Sequence, residues 1–182
     1  KSQLNDPGDG SAYAKVHADN HQIMRSFLEK FGYYDIFLVD HVTGDIVYSV
    51  FKEVDFATSL YTGAFKDSGI ADVVKRATKA HTKDETFVND FARYVPSYNA
   101  AASFIASPIF EGKDISGVLV FQMPVDEINR RLLVTEGLGE SGEVYLVGSD
   151  NLMRSQSRFS DENTILAQKI ETTTAIAAIA GG

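Results

Sequence analysis

One stretch of the chain carries the side chains that a small-molecule pocket needs. Residues 90–108 read DFARYVPSYNAAASFIASP and hold one cation, Arg93, two phenols, Tyr94 and Tyr98, and the polar groups of Ser97 and Asn99. Small residues follow and lead into Phe104 and Ala106. A pocket for a small anion uses such parts: a guanidinium to neutralise it, donors to orient it, aromatic walls to exclude water and small residues to leave room. Lys52, at the end of a neighbouring strand, could supply a second cation. The same residues would equally suit an aromatic core edge with Arg93 paired to Asp90 on the surface. Composition leaves both arrangements open.

Other patterns carry less. Residues 137–142 spell GLGESG, but a dinucleotide loop follows a strand and opens a helix, and here the order is reversed. His17 and His21 have the spacing of a metal pair without an evident third ligand, so a plain helix surface is the simpler account. Asp6, Asp9 and Gly10 faintly resemble a calcium loop, with Pro7 standing where a ligand belongs. Lys75, Arg76, Lys79 and Lys83 read as the solvated side of a helix. Acid–base work by Asp90 and Arg93, or by Glu53 and Asp55, would need a nucleophile–base pairing that the sequence does not display. No catalysis, cofactor or metal is expected. A structural or adhesive module with a filled core is a third possibility.

The balance of 17 Lys and Arg against 25 Asp and Glu gives a formal charge of -8, which repels phosphate backbones and argues against nucleic acid as a partner. With no cysteine among 182 residues, disulfide scaffolds, thiolate metal sites and thiol nucleophiles are excluded, and an oxidising compartment is mildly favoured. No apolar run approaches the roughly 18 residues that cross a bilayer. Lys1 is followed by polar residues, with no initiator Met, and both ends read as cuts.

The elements that must position these side chains are legible from periodicity. Val16, Ile23, Met24, Phe27, Leu28 and Phe31 share a helical face, which predicts a helix over about 11–31 closed by Gly32. Residues 33–40 and 46–51, joined by a turn at Gly44, form an expected hairpin. A short helix around Ile70, Val73, Val74 and Ala77 follows, capped by Asp67 or Ser68. Strands are expected over 86–94, 102–110 and 115–123, with Pro108 at an edge or bulge, and a helix over 124–136 with Pro124 in its first turn. Five strands joined by hairpins argue for an antiparallel sheet of α+β type. Beyond the break at 137–142, Glu143-Val144-Tyr145-Leu146-Val147 repeats the pattern of Asp35-Ile36-Phe37-Leu38-Val39, as though the same motif starts twice.

Residues 34–40, 43–53, 90–108 and 117–124, taken together, resemble the extracytoplasmic Cache sensor domains of bacterial chemoreceptors. Residues 139–147, followed by Asp150, Met153-Arg154-Ser155 and Ser157-Arg158, look like the opening of a second module of such receptors. The resemblance implies a long N-terminal helix leading into a PAS-like antiparallel sheet over residues 1–137, with a truncated second module over 138–182. It also implies a ligand pocket between the sheet and the loops covering it, closing between Lys52 and Ser68. Carried over residue by residue, the implied ligand contacts are Arg93, Tyr94, Ser97 and Tyr98, with Phe104 and Ala106 from the next strand and Lys52 as the added cation. Amino-acid-binding relatives place an acid where Ala106 stands. That departure points to a small carboxylate without an amine, such as acetate, pyruvate, lactate or propionate, because a buried ammonium beside alanine would be unpaired. The implied protein is the periplasmic part of an inner-membrane chemoreceptor, homodimeric through residues 11–31; a histidine kinase or cyclase sensor is the alternative.

Overall fold

The computed structural model describes residues 8–181, so Asp6 and Pro7 of the calcium-like turn lie outside the described residues. Helix α1 (Ala12–Phe31) starts where Ser11 Oγ accepts the Ala14 N–H at 3.0 Å, which satisfies one of the otherwise orphaned first-turn donors. It ends where Gly32, at φ +74°, turns left-handed and its N–H reaches the Leu28 carbonyl at 2.8 Å. Strands β1 (Asp35–Val39) and β2 (Ile46–Ser49) follow as an antiparallel hairpin. The carboxylate of Asp40 organises its turn by accepting the N–H groups of Val42 and Thr43 and the Thr43 hydroxyl.

Helix α2 (Gly69–Ala77) covers the sheet, and its first turn is not capped as expected: the Ser68 hydroxyl donates to the Phe65 carbonyl at 2.6 Å instead. The stretch expected as one strand over 86–94 is two, β3 (Phe87–Val88) and β4 (Ala92–Tyr94). After a single 3₁₀ turn at Val95–Ser97 come β5 (Ala100–Ala102), β6 (Phe104–Glu111) and β7 (Asp114–Gln122), then helices α3 (Val125–Leu132) and α4 (Thr173–Ile179). The main sheet has the order β2-β1-β7-β6-β3, every pairing antiparallel, and β4 and β5 form a separate two-stranded ribbon. Pro108 pairs with Val118 on one side, while β3 reaches only Ile105 and Ala106 on the other, so the missing N–H costs no ladder bond. The architecture is α+β, as the pattern of elements predicts.

Strand alternation gives the sheet two apolar faces. Phe37, Val39, Phe104, Ala106, Val118 and Val120 point to the front, under α2 and the 52–68 loop. Ile36, Leu38, Leu119 and Phe121 point to the back, where α1 lays Leu28 and Met24. A bulge in β2 sends Ile46 to the front and Tyr48 to the back.

Residues 143–150, expected to begin a second sheet like the first, form no strand ladder. Val147 makes an isolated bridge to Met153, and the Leu146 N–H goes to Ser155 Oγ at 2.9 Å. The likeness to β1 stops there because β1 has strands on both sides, whereas this segment is bonded to the residues just after it, the Gly148 N–H to the Leu152 carbonyl at 2.9 Å and the Arg154 N–H to the Leu146 carbonyl at 2.7 Å. Residues 138–181 are nevertheless fastened to the first part of the chain: the Arg154 guanidinium grips Asp90 with two bonds, at 2.9 and 2.7 Å.

Helix α1 faces two ways, and mutation should separate them. Leu28→Ala, at a position only 5% exposed, is expected to lower the unfolding free energy in urea by about 2–5 kcal/mol. Ile23→Ala, at a position 68% exposed in the single chain, should change the unfolding free energy of the monomer by no more than about 0.5 kcal/mol.

Candidate functional site

The front face becomes polar at one end. Asp35 opens β1 directly opposite Gln122 of β7, which in turn lies opposite Phe104 of β6. Both Asp35 and Gln122 are buried. Asp35 Oδ1 accepts the N–H groups of Ile36 and Val50 at 2.7 and 2.9 Å, while Oδ2 has no hydrogen-bond partner. Burial outweighs those two bonds and pushes the carboxyl up to about 7.

The 52–68 loop brings two further acids to this end. Asp55, 1% exposed, receives the Tyr94 hydroxyl on Oδ2 at 2.6 Å and has no partner on Oδ1. Burial raises the Asp55 carboxyl, against the opposing pull of that hydrogen bond, and raises the Tyr94 phenol as well. Glu53 sits between the hydroxyls of Tyr34, at 3.4 Å, and Ser97, at 3.3 Å. Ser97 also accepts from the Gln122 side-chain amide at 3.0 Å. The loop is already packed down: Ile46 and Thr58 are backbone-bonded at 3.0 Å, and Leu60 is fully buried.

The residues singled out from sequence divide between this interior and the surface. Tyr94, Ser97, Phe104 and Ala106 are buried on the front side, and the Tyr94 and Phe104 rings meet edge to face at 5.0 Å. Ala106 packs in the apolar core between Phe87 and Val120. Arg93, one residue before Tyr94, alternates outward; it donates to the Asn99 carbonyl at 3.2 Å and makes no ion pair among the described residues. Asp90, the partner that a surface arrangement would give it, is held by Arg154 instead.

Tyr98 is 81% exposed and left-handed at φ +56°, so its phenol stands away from the buried cluster. Lys52, half-buried, bonds the Ser49 carbonyl at 2.9 Å with its ammonium 5.0 Å from the Tyr48 ring centre and 5.7 Å from that of Phe56. Burial lowers this ammonium to about 8.

Arg93 faces a cleft of about 450 Å³ whose walls include Tyr33, Tyr34, Phe51, Ala101, Gln122 and Ile165. This size suits a small metabolite. The sequence reading missed Asp35 and Asp55 as interior acids. For Asp35 the signal was present, since it shares the alternate positions of β1 with the core residues Phe37 and Val39. Asp55 lies in an irregular loop, where no period says which way a side chain points.

No protein-family model and no curated protein matches the chain. Solved structures do. The Vibrio cholerae histidine kinase DctB sensor domain is similar over 96% of this chain and 62% of its own, at 13% identity and a TM-score of 0.57. The ligand-binding domain of the Campylobacter jejuni chemoreceptor Tlp3, in complex with L-valine, is similar over 88% and 59%, at 12% identity and a TM-score of 0.59. That of the Pseudomonas aeruginosa amino acid chemoreceptor PctC, in complex with GABA, is similar over 91% and 64%, at 12% identity and a TM-score of 0.54. The chain thus spans about three-fifths of the length of these structures. It has the fold of the Cache-type sensor domains of chemoreceptors and histidine kinases.

The buried acid gives a pH signature. Asp35 is raised from 3.8 to about 7, so the unfolded chain releases this proton at lower pH than the folded one, and folding stability falls as pH climbs from 4 through 7. Asp35→Asn keeps an acceptor for the two N–H groups and removes the ionisation. In urea unfolding, its advantage over the parent should be largest at pH 7–8 and close below pH 4; an advantage that does not change with pH would exclude the buried-carboxylate account.

Proposed function

We propose that the chain is the extracytoplasmic ligand-binding part of an inner-membrane chemoreceptor, and that it binds a small carboxylate and passes the binding event to the membrane through its helices. The observation that carries this reading is Arg93, a guanidinium without a carboxylate partner among the described residues, facing a metabolite-sized cleft in a Cache-type fold. A sensor of a histidine kinase would share every one of these features, as the similarity to a kinase sensor domain illustrates. Ligand binding can signal only by favouring one of two arrangements of the chain. The 52–68 loop, which carries Lys52, Glu53 and Asp55 and hangs on the β1–β2 hairpin behind which α1 lies, is the segment placed to convert occupancy into a helix shift.

A homodimer through α1 is part of the proposal. Tyr13, Val16, Ile23 and Phe27 follow a 3-4 spacing with Asn20 between them, and all four apolar members are exposed. Such a seam, with one polar residue inside it, suits a two-stranded helical interface with a second copy. No helix among the described residues is long and apolar enough to cross a membrane, so in this reading the membrane segments belong to the parent receptor.

A second reading has its own observation. Asp55 Oδ1 and Asp35 Oδ2 are buried without partners on the same face as Tyr94 and Phe104. The absence of an acid at position 106 therefore does not leave a ligand amine without a counter-charge. A ligand carrying both a carboxylate and an amine would use Arg93 at one end and this acid pair at the other.

Thermal shift distinguishes the readings. Acetate, pyruvate, lactate and propionate, tested beside L-valine and GABA, should include a compound that stabilises the protein by about 2.7 kcal/mol at a hundred times its dissociation constant. Arg93→Ala should abolish the response. Stabilisation by a plain carboxylate, retained in Asp55→Asn, supports the first reading. A response confined to amine-bearing compounds and lost in Asp55→Asn supports the second. No response to any of them removes the proposal that this site binds small carboxylates or amino acids.

A further inference from the structure

Helix α1 is attached to the sheet by two different chemistries. Its C-terminal half is held by apolar contact, Leu28 and Met24 against Ile36, Leu38 and Phe121. Its N-terminal half is held by two imidazoles. His17 and His21 are 4% and 1% exposed, and their rings stack at 4.4 Å. The expectation of a plain helix surface at these positions is thus corrected. His21 Nδ1 lies 2.8 Å from the Tyr48 hydroxyl, and its Nε2 has no hydrogen-bond partner. A further polar tie runs from the Tyr13 hydroxyl to the Val47 carbonyl at 3.0 Å.

The charged and titratable groups around His21 disfavour a second proton on its ring. His17 and Arg25 come from its own helix, Tyr48 from β2 and Lys52 from the loop after it, the last with its ammonium 5.0 Å from the Tyr48 ring. Asp35 of β1 acts on Tyr48 and Lys52 from the far side. The neighbouring charges are therefore mainly positive, and the ring is out of water. Burial, aided by Lys52, His17 and Arg25, holds the His21 imidazolium down to about 4, against an ordinary 6.5.

We propose that the N-terminal half of α1 is an acid-released strap: the uncharged His21 ring docks it at Tyr48, and taking up a proton lets it go. The sign follows from linkage. A base whose pKa is depressed by docking binds its proton more tightly when undocked, so docking is at full strength above pH 6.5 and weakens as pH falls toward 4. At pH 5 the undocked population should have risen about 30-fold over that at pH 7.5, from the two pKa values. The strap and the ligand-side loop meet at Tyr48 and Lys52, so acid and ligand would act on the same helix. The strap itself does not depend on what the cleft binds.

Hydrogen exchange on the unmodified protein, corrected for intrinsic rates, tests this. Backbone amides of residues 15–22 should lose about 30-fold in protection relative to those of β1 and β7 between pH 7.5 and pH 5, the sheet itself losing none, since protonated Asp35 favours the fold at the lower pH. His21→Gln, which can still bond the Tyr48 hydroxyl but gains no charge, should show no such loss. Unchanged protection in 15–22, loss shared equally by β1 and β7, or the same loss in His21→Gln would each overturn the proposal. Should His21→Gln fail to fold, the imidazole proton resonances of His21 in the parent protein decide: a midpoint near 4 supports the strap, and one at 6 or above overturns it.

Discussion

The front of the sheet depends on a phenol and a carboxylate that have been taken out of water together. Tyr94 and Asp55 meet at 2.6 Å, each almost wholly buried, and their bond joins the β4–β5 ribbon to the loop that closes the front of the sheet. A buried carboxylate without donors would cost several kcal/mol, and so would a buried phenol without an acceptor. The pairing fixes where the loop lies, and with it the positions of Glu53 beside Ser97 and of Lys52 over Phe56. It also leaves one Asp55 oxygen unsatisfied. That residual polarity marks this end of the core as prepared for something other than apolar packing.

The same bond shows what sequence reasoning reaches and where it stops. Helix α1, the hairpin and the long strands β6 and β7 were legible because their apolar residues recur at 3.6 or 2 and glycines or polar turns close them. Tyr94 and Arg93 could be singled out by type, but not by direction. Adjacent residues of a strand point to opposite sides, and only the register of β4 on β5 shows that the phenol goes inward and the guanidinium outward. Asp55 could be singled out by type beside Glu53, but its burial against Tyr94 was beyond reach, since that partner lies 39 residues away and its loop has no period. The expected strand over 143–150 is a single bridge for a related reason: a strand extends only as far as a neighbour pairs with it, and residues 152–154 pair only around Val147.

Arg93 and the buried acids lie in different surroundings. An outward cation beside a cleft would meet an anionic group arriving from solvent, whereas the acids lie behind the aromatic layer of Tyr94 and Phe104. Reaching them would require the loop to move. Under the proposed function, a ligand held at the cleft and a ligand reaching these acids would differ in whether the loop has to move.

The ion pair between Arg154 and Asp90 changes what the boundary near residue 137 means. By composition and by its break of glycines, that point divides the chain, yet the charges do not divide there. Asp90 is the nearest acid in sequence to Arg93, three residues away, and Arg154 of the later segment holds it, with Asp150 sharing the same guanidinium nitrogen. Gly148 leaves the space for this arrangement, since a Cβ there would come within 2.0 Å of that guanidinium. The cleft is likewise lined from both parts, with Arg93, Asp126 and Glu127 from the first and Asn163 and Ile165 from the second. A piece ending at 137 would lose Asn163 and Ile165 from the wall of the cleft, and it would leave Asp90 without the guanidinium that now holds both of its oxygens.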